Sequence, residues 1–184
     1  MKTYIYCDRI EKLHSQLLIL PIYQNEKPLL CLSSKIDWRL CGKLSTLLKK
    51  EIVSGKNNEK VIFAPISKLF FDKIFLWGMG VKKDLTTNEI DTLFKNIFNA
   101  INSLTVQDYS IAISQFVIGK MPYEEIAFKM IENIAKIKKK NKEFPEILIM
   151  LEKLFSQRGT DHWGVVKMIT ATALTMLLLR EQDI

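Results

Sequence analysis

A glycine pair followed by two lysines is the sequence feature best suited to chemistry. An apolar stretch ends in Gly78 and Gly80, passes Lys82 and Lys83, and reaches Thr86, which has the spacing of a helix cap. Backbone amides at such glycines, near the positive end of a helix, can hold a phosphate. Gly-x-Gly without a third spaced glycine is not a dinucleotide-binding fingerprint, and a tight turn with positive φ uses the same glycines. The pattern predicts either a phosphate-binding loop of these five residues or a structural turn.

The densest charge lies in a lysine-rich run that comprises Lys136, Lys138, Lys139, Lys140 and Lys142. Clustered lysines contact phosphates and make nucleic-acid binding sensitive to salt. Lysines also suit the C-terminal end of a helix, where the dipole is negative. No arginine or aromatic residue interrupts the run, and lysine alone reads few bases. The run predicts either a nucleic-acid-binding surface or a solvated helix end.

Cysteines and histidines form no catalytic or metal-binding pattern in this sequence. Cys7, Cys31 and Cys41 contain no CxxC pair, and an odd number does not fit a disulfide framework. His14 and His162 lack the spacing of a zinc site or of a nucleophile motif. We therefore predict no metal site, no cofactor, and reduced thiols in a cytoplasmic protein.

Composition and periodicity indicate the elements that position these residues. The 184 residues are 48% hydrophobic and 26% charged with a net charge of +7, a folding composition that favours anionic partners only weakly. The length predicts a single domain, 1–184. Seven short apolar runs are predicted as strands: Thr3–Cys7, Gln16–Tyr23, Leu29–Leu32, Val61–Ala64, Lys73–Trp77, Tyr109–Ile113 and Glu146–Met150.

Helical segments alternate with these strands. Asp37 is predicted to cap a helix that runs through Lys50, and Thr86 with Glu89 has capping-box spacing. Pro122 suits the first turn of a further helix. A last helix is predicted from Asp161 to about Arg180. Nearly unbroken apolar strands between helices predict a three-layer α/β/α domain.

The last predicted helix contains an apolar stretch from Val165 to Leu179. The stretch includes Lys167 and is shorter than the ~20 apolar residues that cross a bilayer. It is interpreted as a buried helix or a partner-facing helix, so no membrane partner is predicted.

Four segments in order resemble the amino-terminal domain of the M17 leucyl aminopeptidases. They are Leu17–Tyr23, Ile36–Leu44, Glu51–Lys56, and Lys73–Lys83 with the following Leu85-Thr86. The last segment is similar to the family's strand, glycine turn and helix cap, and Gly55-Lys56 is similar to its Gly-Lys segment.

The resemblance covers about residues 16–135 and implies a macro-domain-like α/β/α sandwich with a mixed sheet. Residues 141–184 have no matching counterpart, so an extra C-terminal strand and an apolar helix are expected there. The family's metal-binding and catalytic strings, such as the Asn-Thr-Asp-Ala-Glu-Gly-Arg box, do not occur in this sequence. No catalytic residue carries over, and we expect no enzyme activity.

The leading functional hypothesis is a non-catalytic, stand-alone domain that acts in protein assembly or regulation. Its expected partner is another protein or a second copy, which it contacts through the C-terminal apolar helix. One alternative is a macro-like module that binds ADP-ribose or another phosphate ligand at the glycine turn. A second alternative is nucleic-acid binding through the lysine-rich run.

Overall fold

A computed structural model describes residues 3–6, 10–66, 69–104, 106–113, 116, 121, 123–138 and 146–150. The strands among them are β1 Thr3–Tyr6, β2 His14–Ile22, β3 Lys60–Phe63, β4 Phe70–Gly78, β5 Asp108–Ala112 and β6 Glu146–Met150. The α-helices among them are α1 Cys31–Arg39, α2 Lys43–Lys49, α3 Thr87–Asn102 and α4 Tyr123–Lys138.

All six strands belong to one mixed sheet with the order β1-β6-β5-β2-β4-β3. β3 runs antiparallel to β4, and every other neighbouring pair is parallel. β2 lies inside the sheet between β5 and β4, which explains why its sequence is an almost unbroken apolar run. The predicted α/β fold with a mixed sheet is therefore confirmed.

Alternate side chains of the inner strands fill two separate cores. Leu17 and Ile19 of β2 pack with Phe75 and Trp77 of β4 against α3 and α4. The intervening residues point to the opposite face and pack against α1 and α2; they are Leu18, Leu20, Ile22, Ile74 and Leu76. Because strand side chains alternate with a period of two, helices cover both faces and produce the predicted three layers.

The strand predicted at Leu29–Leu32 is wrong, because α1 begins at Cys31. Leu29 and Leu32 are buried together with Ile36 and Leu40. The spacing of four residues between Leu32, Ile36 and Leu40 is that of one helix face, whereas Leu29 precedes the helix. Four apolar residues in a row do not distinguish a strand from the start of a buried helix.

The single helix predicted from Asp37 to Lys50 is also wrong, because α1 and α2 are separate helices. Cys41 and Gly42 have φ values of 53° and 77°, and this left-handed backbone ends α1. The Asp37 carboxylate joins the two helices, since it accepts the Ser45 backbone N–H in the first turn of α2 at 3.0 Å and also the Ser45 hydroxyl. The prediction that Asp37 marks the start of a helix is therefore wrong, because Asp37 lies in the last turn of α1 and Gly42 occupies the N-cap position of α2.

The remaining helix and strand predictions concern the second half of the chain. α4 begins directly after Pro122, which itself lies outside the described residues. The predicted helix from Asp161 to Arg180 also lies outside them. The predicted strand Glu146–Met150 is β6, and it pairs with β1 on one side and β5 on the other. This C-terminal strand is therefore an internal part of the sheet.

Candidate functional site

The glycine turn connects the end of β4 to the loop before α3, and its backbone amides are all bonded within the chain. The Gly78 N–H donates to the Glu59 carbonyl at 2.8 Å, and the Met79 N–H donates to the Ile22 carbonyl at 2.9 Å. The Gly80 N–H donates to the Gly55 carbonyl at 2.8 Å. The amides that were predicted to bind a phosphate instead form hydrogen bonds that connect the end of β4 to the end of β2 and to the loop before β3.

Close backbone packing explains why glycine occupies this turn. A Cβ atom at Gly78 would lie 1.9 Å from the carbonyl oxygen of Lys56. Gly55 has a φ of 73°, and a Cβ there would lie 2.7 Å from the backbone of Tyr23. Gly80 also has a φ of 73°, which L-residues adopt with strain. Two of the four segments that resemble the aminopeptidase domain, Glu51–Lys56 and Lys73–Lys83, thus place glycines at one backbone junction.

The two lysines after the turn form ion pairs with carboxylates of the same chain. Lys82 Nζ lies 3.4 Å from the Glu26 carboxylate and 4.9 Å from the centre of the Tyr23 ring. Lys83 Nζ donates to the Glu89 carboxylate at 2.9 Å. An anionic ligand would therefore compete with Glu26 and Glu89 for these cations.

Thr86 and Glu89 form the predicted capping box at the start of α3. The Thr86 hydroxyl accepts the Glu89 N–H at 3.4 Å, and the Glu89 carboxylate accepts the Thr86 N–H at 2.8 Å. The hydrogen bond from Lys83, with those from Thr86, lowers the pKa of Glu89 to about 2. An ionised carboxylate thus already lies where the helix N-terminus would attract a phosphate.

A groove of about 400 Å³ lies beside the turn, where α3 faces the loops before β3 and before α3. We call it the α3 groove. Its polar lining includes Asn57, Asn58, Asn88 and Asn96, and its apolar lining includes Met79 and Leu85. Lys83 and Glu89 also contact it as an ion pair. The groove adjoins the predicted phosphate loop but is lined mainly by amides and apolar groups.

Sequence reasoning missed these asparagines because it followed the apolar face of α3. Asn88, Thr92 and Asn96 recur every four residues and line the groove together. The sequence signal that could have revealed them is the polar face of α3 with its period of four residues, together with the asparagine pair Asn57-Asn58 in the loop before β3.

The lysine-rich run begins in the last turn of α4. Lys136 Nζ lies 2.7 Å from the Glu132 carboxylate one turn earlier, and this hydrogen bond raises the pKa of Lys136. Lys138 is the last residue of α4. Lys139, Lys140 and Lys142 lie outside the described residues. The structure therefore places Lys136 and Lys138 in the last turn of α4, as the interpretation of the run as a helix end requires.

The cysteines and histidines are not brought into a cluster within the described residues. Cys31 and Cys41 are exposed free thiols. His14 begins β2 and stacks on Phe70 with 4.3 Å between ring centres. Cys7 and His162 lie outside the described residues. In that part of the chain, no group of three or more His, Cys, Asp or Glu side chains has a metal-binding arrangement. Nor does any helix there have the length and apolar character to span a membrane.

A family model described as "Cytosol aminopeptidase family, N-terminal domain" matches residues 19–137. The chain belongs to this family. The match spans β2 to α4, so the cytosol aminopeptidase N-terminal domain includes the glycine turn and the α3 groove. The family resemblance of residues 16–135 is thereby confirmed.

Curated relatives are considerably longer than this chain. It is 25% identical over 120 residues to a probable cytosol aminopeptidase of Bacillus subtilis (strain 168), covering 65% of this chain and 24% of that protein. It is 30% identical over 117 residues to a probable cytosol aminopeptidase of Buchnera aphidicola subsp. Baizongia pistaciae (strain Bp), covering 63% and 23%. The chain spans about a quarter of these relatives.

Solved structures share the fold of this cytosol aminopeptidase N-terminal domain at low sequence identity. The macro domain of ganglioside induced differentiation associated protein 2 is 10% identical with a TM-score of 0.68, covering 94% of this chain and 84% of that chain. A mutant tomato leucine aminopeptidase is 17% identical with a TM-score of 0.58, covering 98% and 37%. The macro-domain-like fold is therefore confirmed.

Proposed function

We propose that this cytosol aminopeptidase N-terminal domain acts in protein binding, assembly or regulation and catalyses no reaction of its own. The observation that carries the proposal is the internal bonding of the glycine turn. Its three amides donate to backbone carbonyls, and its two lysines pair with carboxylates. Groups that are bonded in this way organise the fold and are poorly available to a substrate.

The same bonds argue against the alternative of a phosphate ligand at the turn. A phosphate at the start of α3 would have to displace the Glu89 carboxylate from Lys83 and from the Thr86 N–H. Because the pKa of Glu89 is about 2, that carboxylate is ionised at neutral pH and repels an incoming anion. We therefore favour a protein partner over ADP-ribose for this domain.

The proposed contact is the C-terminal apolar segment from Val165 to Leu179, with another protein or a second copy of the chain. Its apolar side chains offer the kind of surface that protein interfaces bury. We also propose a cytoplasmic location, which the exposed free thiols of Cys31 and Cys41 support.

Light scattering of the full chain and of a chain truncated after Thr160 tests the assembly proposal. We expect at least two copies of the full chain in each particle, and either a single copy or an insoluble product after truncation. A Leu174→Asp variant should lower the mass as truncation does, whereas the conservative Thr172→Ser variant should not. A folded, soluble monomer for both the full and the truncated chain would refute assembly through this segment.

Catalysis and the two alternatives have separate tests. We expect no release of p-nitroaniline from leucine p-nitroanilide in the presence of Zn²⁺ or Mn²⁺, and turnover above a no-protein control would overturn the non-catalytic proposal. Calorimetry with millimolar ADP-ribose should give no binding heat. Gel-shift titration with duplex DNA at low and high salt should give no complex; a salt-sensitive complex would favour the lysine-rich run instead.

A further inference from the structure

The α3 groove has a polar lining that the described fold uses little. The side-chain amides of Asn57, Asn58, Asn88 and Asn96 have no hydrogen-bond partner among the described residues. The neighbouring Thr92 hydroxyl, by contrast, donates to the Asn88 carbonyl at 2.8 Å. Within the described part of the chain, four solvent-accessible amide groups around one groove are therefore not committed to the fold.

The chemistry of these amides matches that of a peptide group. An asparagine side chain presents a carbonyl acceptor beside an NH₂ donor, which is the complement of a peptide C=O and N–H. Asn88 and Asn96 lie eight residues apart on α3, a separation of ~12 Å along the helix axis. An extended peptide rises ~3.3 Å per residue, so three to four of its residues would span that distance.

The loop before β3 supplies amides from a second element. Asn57 and Asn58 line the same groove as the α3 residues, so a bound chain would meet donors and acceptors from both elements. The conformation of this loop is fixed, because the Asn58 N–H donates to the Gly78 carbonyl at 2.9 Å. The Glu59 carboxylate also accepts the N–H groups of Ser54 and Gly55. A preformed loop limits the entropy lost on binding.

The rest of the lining selects for apolar side chains and against net charge. Met79 and Leu85 are partly buried against the core and face the groove, and a thioether side chain adapts to small apolar groups. Lys83 and Glu89 neutralise each other at 2.9 Å, so the described residues of the lining present no unpaired charge. A phosphate would find no free cation there, whereas a neutral peptide would need none.

We propose that the α3 groove binds an extended, uncharged peptide segment of a partner protein, through the amides of Asn57, Asn58, Asn88 and Asn96. Small apolar side chains of that segment pack on Met79 and Leu85. This inference goes beyond the proposed function, because it concerns residues of α3 and of the loop before β3 and its test does not involve the C-terminal segment.

The test uses the full chain labelled with ¹⁵N and the blocked tripeptide N-acetyl-Ala-Val-Ala-amide as probe. NMR detects the asparagine side-chain NH₂ groups directly, and single Asn→Ala variants assign them. We expect saturable shifts at millimolar peptide in the NH₂ signals of Asn57, Asn58, Asn88 and Asn96, with smaller shifts elsewhere. Each of Asn88→Ala and Asn96→Ala should weaken binding about fivefold, in line with the loss of one hydrogen bond.

Asn99→Ala is the matched control, because Asn99 is exposed on the same helix and does not line the groove. That variant should bind the peptide as the parent does. Inorganic phosphate and maltose, tested under the same conditions, should leave the asparagine signals unchanged. The proposal is overturned if the peptide gives no saturable shift, if Asn99→Ala weakens binding as much as Asn88→Ala, or if phosphate or maltose shifts these signals and the peptide does not.

Discussion

Replacing Gly78 by alanine tests whether the glycine turn is a backbone junction. The new Cβ atom would lie 1.9 Å from the Lys56 carbonyl oxygen and 2.8 Å from the Glu59 Cβ atom. A separation of 1.9 Å is far inside van der Waals contact, and the nearest obstacle is backbone that cannot rotate away. The loop before β3 would have to move and strain two hydrogen bonds, from Gly78 to Glu59 and from Asn58 to Gly78. We expect a loss of about 3 kcal/mol in the free energy of unfolding.

Gly42 provides a matched control for this substitution. It has a φ of 77°, but a Cβ atom built there meets no atom within 4 Å. Gly42→Ala therefore costs only the strain of a left-handed residue, about 1 kcal/mol. The difference between the two variants, about 2 kcal/mol, isolates the effect of close packing from that of backbone conformation.

Urea unfolding monitored by circular dichroism measures both variants under identical conditions. We expect equal slopes with urea and a lower midpoint for Gly78→Ala than for Gly42→Ala. If Gly78→Ala is no less stable than Gly42→Ala, the loop before β3 does not pack on Gly78 and the structural interpretation of the turn fails.

Three further substitutions test the helix cap, the ionised carboxylate and the helix–helix contact. Thr86→Ala should lower the free energy of unfolding by about 1 kcal/mol, because the capping hydroxyl is lost. Thr92→Ala, in the exposed middle of α3, should leave the free energy of unfolding unchanged. Equal effects of the two substitutions would contradict the assignment of Thr86 as the cap. The pKa of Glu89 falls from 4.5 to about 2 on folding, so its ionised form stabilises the fold above pH 4.5 and this contribution disappears as the pH falls towards 2. The difference in melting temperature between the parent and Glu89→Gln should therefore narrow over that range, and a difference independent of pH would refute the ion pair. Asn133→Ala should cost about 1–2 kcal/mol in urea unfolding, because the buried Asn133 amide donates to the Asp91 carboxylate and to the Lys129 carbonyl, both at 2.9 Å. A change in the free energy of unfolding below 0.5 kcal/mol, which is typical of surface substitutions, would show that the contact between α3 and α4 does not depend on the Asn133 amide.

The sequence predicted the parts of the fold that local patterns determine. The apolar runs of β2 and β4 are continuous because both of their faces are buried, and the capping box of Thr86 and Glu89 marks the start of α3. The segments at Leu29–Leu32 and at Cys41 were mispredicted for different reasons. The former is too short to reveal its period. At the latter, Gly42 is a usual signal for a helix end, but the apolar spacing of Leu40, Leu44 and Leu48 continues across it and indicated one helix.

The candidate site was less predictable, because the groups that bond its amides and lysines are distant in the sequence. Gly78 and Gly80 were recognised as a turn or a cradle, but the carbonyls that occupy their amides belong to Glu59 and Gly55. The partner of Lys82 is Glu26, more than fifty positions earlier. The residue types therefore suggested a site for an anionic ligand. The tertiary contacts show instead that the lysines of this site pair with carboxylates of the same chain.

The position of β6 has a consequence for how the chain folds during synthesis. β1 is an edge strand whose neighbour in the sheet is β6, and Thr3 pairs with Ile147 across nearly the whole described chain. At ~5–20 residues per second, the ribosome completes β6 roughly seven to thirty seconds after it completes β1. Throughout that interval β1 has no strand with which to pair, so the sheet is expected to assemble from β2, β4 and β5 first and to incorporate β1 last. Contacts of such long sequence separation slow folding, and an unpaired β1 is the segment most exposed to chaperones or to pairing with another nascent chain.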